Sequence, residues 1–211
     1  MISQARSSTA QENITYRLGS AEDLSFLSDS SLDMVTAGQS AHWFDYTKAW
    51  PSLASKVRSK GTLAFIGYID IVLPSHPRAS KLIDYYSYHP SKMGPYWEPG
   101  RKVIADKLAA VIPPEQEWED VKRITYQPGV DPKEGVLFAK KLKLGDVEGY
   151  LRTFSAYTNW KEANKGGKDL VDDAMQDIVD SEVEWKGKGE EWREIEVDVE
   201  WGSVILLARR Q

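Results

Sequence analysis

Apolar residues recur along this chain with two periods, and the stretches in which each holds divide it into strands and helices. Residues 33–37 are short, apolar and partly β-branched, the pattern of a buried strand. Gly38 and the polar and aromatic residues after it predict a turn leaving that strand's C-terminal end. Ala49, Trp50, Leu53, Ala54 and Val57 then fall at helical spacing, so residues 46–59 predict an amphipathic helix ended by Lys60-Gly61, with Pro51 tolerated only in its first turn. Residues 62–73 are nearly all apolar, broken by Gly67 and Asp70, as in a central parallel strand covered on both faces. Strand, helix, strand in this order is a βαβ unit. The predicted fold class is therefore α/β, with residues 14–18, ended by Gly19, as a further short strand.

The second half adds helices at residues 101–111, stopped by Pro113-Pro114, and at 169–181, with Asp172, Asp173 and Asp177 on the wet side. Residues 121–127 read as an edge or accessory strand. Residues 194–201 alternate strictly, with Ile195, Val197, Val199 and Trp201 on one face; Gly202-Ser203 then reads as a two-residue turn and residues 204–208 as a buried partner. This predicts a C-terminal antiparallel hairpin. Residues 1–6 read as the middle of an amphipathic helix that loosens into a loop over 7–10. Residues 74–101 lack a regular apolar period and crowd Tyr85, Tyr86, Tyr88, Tyr96 and Trp97 near Arg101. They are either an ordered surface loop or a lid whose aromatic walls exclude water while the Arg grips a carboxylate.

With 211 residues, 41% hydrophobic and 28% charged, the chain suits one domain over residues 1–211 with a sizeable core. A net charge of -5 supplies no basic face for nucleic acid, and no run approaches the roughly 18 apolar residues of a membrane span. The absence of cysteine excludes disulfides, thiolate metal ligation and thiol nucleophiles. His42, His76 and His89 lack the spacing of metal ligands, so no metal is expected. Residues 140–144 carry lysines among acids and read as solvated surface. With no targeting segment legible, the cytoplasm is the default compartment.

The strand at 33–37 followed by Gln39-Ser40-Ala41-His42-Trp43-Phe44-Asp45 resembles the fourth strand and following loop of class I S-adenosylmethionine-dependent methyltransferases of the type 11 kind, especially the subgroup with fungal trans-aconitate methyltransferases. Gly94-Pro95-Tyr96-Trp97-Glu98-Pro99-Gly100-Arg101 resembles the insertion that covers their acceptor, and Gly149-Tyr150-Leu151-Arg152-Thr153-Phe154-Ser155-Ala156-Tyr157 resembles their acceptor-side helix. The resemblance covers nearly all of the chain but begins partway into the fold: the glycine-rich turn and the ribose-holding acid of the family are unmatched. It implies a Rossmann-like class I methyltransferase sheet, N-terminally truncated, with an aromatic lid insertion within residues 74–160.

The same resemblance implies S-adenosyl-L-methionine as cofactor, met at adenine by Ser20, Ala21 and Glu22 and at its sulfonium and methionine end by Gln39, Ser40 and His42. The implied acceptor is a small carboxylic acid such as trans-aconitate, positioned by Arg101 and Arg152 and walled by Tyr96, Trp97, Tyr157 and Trp160. A carboxylate nucleophile is already deprotonated at neutral pH, so no catalytic base is required. The unmatched turn and acid imply weak or absent cofactor binding. They leave open a cofactor-binding-deficient methyltransferase-like protein serving as an interaction module, or an incomplete gene model. Two strands that stand between those at 14–18 and 33–37 in the family's sheet are also unmatched. Residues 14–18 should then either pair with 33–37 or fray, and the exposed sheet edge should favour self-association.

Overall fold

In the computed structural model, residues 2–9 and 11–211 are described; Met1 and Ala10, assigned above to the first helix and the loop after it, lie outside them. Among the described residues, five strands form one mixed sheet. β1 (Leu32–Gly38) lies parallel to β2 (Val57–Val72), joined by helix α2 (Tyr46–Lys56), the expected βαβ unit. β5 (Glu196–Arg210) runs antiparallel along the other edge of β2. β3 (Trp118–Tyr126) and β4 (Ala139–Lys143) share the far edge of β5, β3 against its C-terminal part and β4 against its start.

The terminal hairpin is corrected by this topology. β5 is one continuous strand of 15 residues, and Gly202-Ser203 lies buried in its middle, with Ser203 opposite Tyr68 on one side and Tyr126 on the other. Small residues there reflect crowding between two flanking strands rather than a turn. The antiparallel character survives, because β5 pairs in that sense with β2, β3 and β4.

The strand expected at residues 14–18 is absent: the segment is irregular, with Ile14 44% and Leu18 86% exposed. β1 is correspondingly an edge, not a buried strand, paired among the described strands only with β2 and burying only Ala37. Pro51 is the sixth residue of α2, beyond the first turn, but it faces solvent, where water can take the carbonyl it leaves unbonded. Residues 74–101 are more regular than their composition suggests. They hold helix α3 (Pro77–Tyr88), opened by proline at its first position and burying Ala79, Ile83 and Tyr86 at helical spacing. The helix expected over 101–111 is cut to α4 (Gly100–Ala105), after which Lys107 and Leu108 adopt left-handed backbone.

The single acceptor-side helix is in fact two, α5 (Leu144–Arg152) and α6 (Ser155–Ala163), broken at Thr153-Phe154. α7 (Leu170–Ser181) starts as expected on Asp169, whose carboxylate accepts from the Val171 N–H at 2.9 Å. α1 (Ile2–Ser8) buries nothing. Two apolar clusters result. One packs α2 and Ile104 of α4 against Leu63 and Phe65 of β2 and Val204 and Leu206 of β5. The other packs α3, α5 and α7 against Ile71 of β2 and Val197 and Val199 of β5. Between the clusters β2 bulges: it advances from Tyr68 to Ile71 while β5 moves only from Ser203 to Trp201. A bulge re-aims side chains, and Asp70 lies within this one.

Candidate binding cleft

At the C-terminal ends of β1 and β2, where open α/β sheets bind ligands, a cleft of about 280 Å³ is lined by Gln39, His42, Tyr68, Trp97, Arg101 and Tyr150, among others. The sequence reading had split four of these between two ligands. The fold brings Gln39 and His42 together with Trp97 and Arg101.

Gln39 follows Gly38 with φ +51°, a left-handed conformation costly for a residue with a β-carbon. Its side chain offsets that cost. Nε2 donates to the Tyr68 carbonyl at 2.8 Å, and Oε1 accepts the Tyr68 N–H at 2.9 Å. The amide thus behaves as one more paired strand residue at the point where β2 begins to bulge, and it presents the Tyr68 ring to the cleft. Beside it, Gly67 leaves room for α4: a β-carbon there would overlap Ile104 Cδ1.

Arg101 is held from three sides. Its guanidinium lies 4.5 Å from the Trp97 ring centroid, Nε donates to the Tyr88 hydroxyl at 3.0 Å, and Nη2 donates to both Tyr88 and Asp70. The Tyr88 hydroxyl donates in turn to Asp70 at 2.5 Å. Burial opposes the arginine's charge, but Asp70 and then Tyr88 outweigh it and hold the pKa above its ordinary value. Trp97 is fixed by its Nε1, which donates to the Ser87 carbonyl at 2.7 Å. Burial, then Asp70, push the Tyr88 phenol above its usual range. Tyr68 was missed in the sequence; Asp70 stood out only as the lone acid in an apolar run, and Tyr88 and Tyr150 only as members of the aromatic segment and of the acceptor-side string, without a role of their own.

His42 is the cleft's titratable base. Its Nδ1 is buried without a hydrogen-bond partner among the described residues. Burial, and after it the charge of Arg101, hold its pKa below the ordinary imidazole value, so the ring is neutral near pH 7 and can take a proton or a hydrogen bond from a ligand.

The remaining candidates lie outside the cleft lining. Glu22 bonds the Ser20 hydroxyl and accepts the Asp45 N–H at 2.8 Å, tying its loop to the start of α2. Ala21 packs on the α2 cluster, and the Ser40 carbonyl accepts the Trp43 N–H at 3.0 Å. Arg152 is saturated by acids: Glu148 at 2.9 Å, Asp169 at 3.1 Å and Asp172. Tyr157 is buried and donates to Asp169 at 2.6 Å, Trp160 packs on the α3–α7 cluster, and the Tyr96 carbonyl accepts from Asn159 at 3.0 Å. These four join the segment around Tyr96 to α5, α6 and α7.

S-adenosylmethionine, implied by the resemblance, meets a mixed set of groups. The Tyr150 ring and the carboxylate of Glu98 suit a sulfonium cation, whereas the Trp97 ring already carries the Arg101 guanidinium. The Gln39 amide, however, already gives one N–H and one oxygen lone pair to Tyr68, and the trio at 20–22 does not line the cleft.

Comparison with known proteins bears on this geometry. Residues 1–65 match the family model described as "Methyltransferase domain". The whole chain is 23% identical to "Probable S-adenosylmethionine-dependent methyltransferase CRG1" of Saccharomyces cerevisiae, covering 75% of that protein. It is 22% identical, over 99% of its length and 71% of the other's, to a Dictyostelium discoideum protein named "Putative methyltransferase". A solved structure, "Putative Type II Methyltransferase from Anaeromyxobacter dehalogenans", superposes with a TM-score of 0.70 over 98% of this chain and 76% of that one, at 21% identity. That likeness shows that the chain shares the α/β fold of that structure.

Proposed function

We propose that this chain, which carries a methyltransferase fold and a methyltransferase-domain match over residues 1–65, serves S-adenosylmethionine-dependent methyl transfer to a small acceptor. The observation that carries this reading is the cleft at the C-terminal ends of β1 and β2, which joins the loop of Gln39 and His42 to the lid residues Trp97 and Arg101. When bound, the cofactor supplies a methyl group on a sulfonium, and transfer from it calls for alignment and exclusion of water more than for acid or base help. In this chain the Tyr150 ring would shield the cationic end, Glu98 would balance its charge, and His42 would accept a proton from a neutral acceptor.

The finer reading, a small carboxylic acid such as trans-aconitate as acceptor, rests on Arg101. It requires Arg101 to turn from Asp70 to the acceptor's carboxylate. Arg101→Lys, which loses the planar fork, should raise the acceptor KM several-fold and leave cofactor affinity unchanged; equal acceptor KM values would take Arg101 out of acceptor binding.

A second reading, a methyltransferase-like module that does not bind cofactor, is favoured by Ser20, Ala21 and Glu22, which lie outside the cleft lining. Isothermal titration calorimetry with S-adenosylmethionine separates the two. A micromolar constant supports methyl transfer, and no heat at millimolar ligand supports the second reading.

A further inference from the structure

Behind the Tyr68 and Tyr150 wall lies a second chamber of about 320 Å³, lined by those two rings with Leu137, Phe138, Lys140 and Trp201. Tyr68 and Tyr150 line both spaces, so the chamber adjoins the cleft along one shared partition. We propose that this chamber is a binding site for an uncharged planar arene, held between aromatic walls and bonded at its edge by the Tyr68 hydroxyl.

The walls come from well-fixed elements. Tyr68 stands on β2 beside the Gln39 clamp, and Trp201 stands on β5. Phe138 immediately precedes β4, and its carbonyl accepts the Trp201 N–H at 3.1 Å, locking that loop to β5. The rings meet edge to face: Tyr68 with Phe138 at 6.0 Å between centroids, and Tyr150 with Trp201 at 6.1 Å. Such an arrangement is preorganised to continue with an inserted ring, since aromatic pairs favour offset or edge-to-face contact. The volume lies at the lower end of the range for small-molecule sites, roughly 300–1,000 Å³.

Polar groups narrow the ligand class. Trp201 Nε1 donates to the Tyr150 hydroxyl at 3.2 Å, which occupies the indole N–H and leaves the Tyr150 O–H free to donate. The Tyr68 hydroxyl has no hydrogen-bond partner among the described residues, and Tyr68 lines both spaces. It can give or accept one bond at the ligand's edge. The only charged residue of the chamber is Lys140, which is exposed, and no carboxylate lines it. A cationic guest would meet like charge there without an acid to offset it, although four aromatic faces would otherwise suit a cation. A polyanion would have to leave water for apolar walls, with one solvated lysine as partner and with Asp70 already matching Arg101 across the partition. An uncharged arene meets neither cost.

The site stands whether or not the chain binds cofactor; only its assignment as the acceptor's seat rests on the methyl-transfer reading. The test is calorimetric titration of the whole chain, without cofactor, by naphthol, trans-aconitate and tetramethylammonium. Naphthol should bind in the micromolar range and more tightly than the other two. Trp201→Ala and Phe138→Ala should each weaken naphthol roughly fivefold, the scale of one lost aromatic contact, with thermal melts confirming folded variants. Phe138 precedes β4 and is only half-buried, so its variant remains informative where Trp201→Ala fails to fold. Absence of naphthol binding, tighter binding of either charged probe, or wild-type affinity in the folded variants would overturn the proposal. If naphthol binds and S-adenosylmethionine does not, the chamber stands and methyl transfer falls; the reverse result removes the chamber alone.

Discussion

Gln39 combines a left-handed backbone with an amide that completes the hydrogen bonding of a neighbouring strand. Gln39→Ala keeps the backbone cost and deletes both bonds, so unfolding in urea should reveal a loss of about 2 kcal/mol. An unchanged midpoint would mean that the amide holds nothing. His42 gives a prediction in pH. Its folded pKa lies below the ordinary imidazole value of roughly 6.5, so the unfolded chain binds the proton more tightly. The stability linked to neutral His42 is complete above that value and is lost as pH falls through the lowered folded pKa. The stability difference between wild type and His42→Gln should therefore shrink on acidification; a difference that is constant with pH would contradict the burial argument. The sequence exposed Gln39 and His42 as cleft residues through the motif around them. It hid the role of Gln39, because the partner is backbone 29 residues away, and backbone at Tyr68 has no signature in the side-chain pattern.

Elements with a clear apolar pattern were legible: α2 and α7 stand close to where helical spacing places them and most of β2 where the apolar run does, while residues 57–61, read as the end of the helix and its stop, open β2. Misreadings arose where local composition met a long-range neighbour. Gly202-Ser203 has the composition of a turn but is flanked by Tyr68 and Tyr126, and the segment at 14–18 has strand composition but no strand to pair with. At α4 the packing gives a test. Gly67→Ala would push on Ile104, which is 1% exposed, and should cost about 1–3 kcal/mol while shifting Arg101 one turn away. A crystal structure of the variant with α4 unmoved would refute the coupling. At the start of α7, Asp169 is both cap and partner of Tyr157 and Arg152. Burial works against its charge, but the bonds from Tyr157 and Val171 and the Arg152 charge hold its pKa below the usual carboxyl value. Asp169→Ala should cost on the order of 2 kcal/mol at neutral pH, read as a lower urea midpoint, and less in acid where the carboxylate is protonated.

For the molecule as a whole, the open side of β1 and the irregular residues 14–18 belong together. Amides of residues 14–18 should exchange with solvent far faster than those of residues 62–67 within β2, and self-association through the β1 edge should grow with concentration in size-exclusion runs. Strong protection of 14–18 in a monomer would show that the segment has found a strand partner. β5 carries a different consequence. It is the strand on which β2, β3 and β4 all pair, and the Thr62–Arg209 contact spans most of the chain. During synthesis the edge of β2 therefore waits bare while residues 73–195 are made, on the order of ten seconds at ordinary translation rates. The core cannot close until β5 emerges, and that interval is when a chaperone has most to bind.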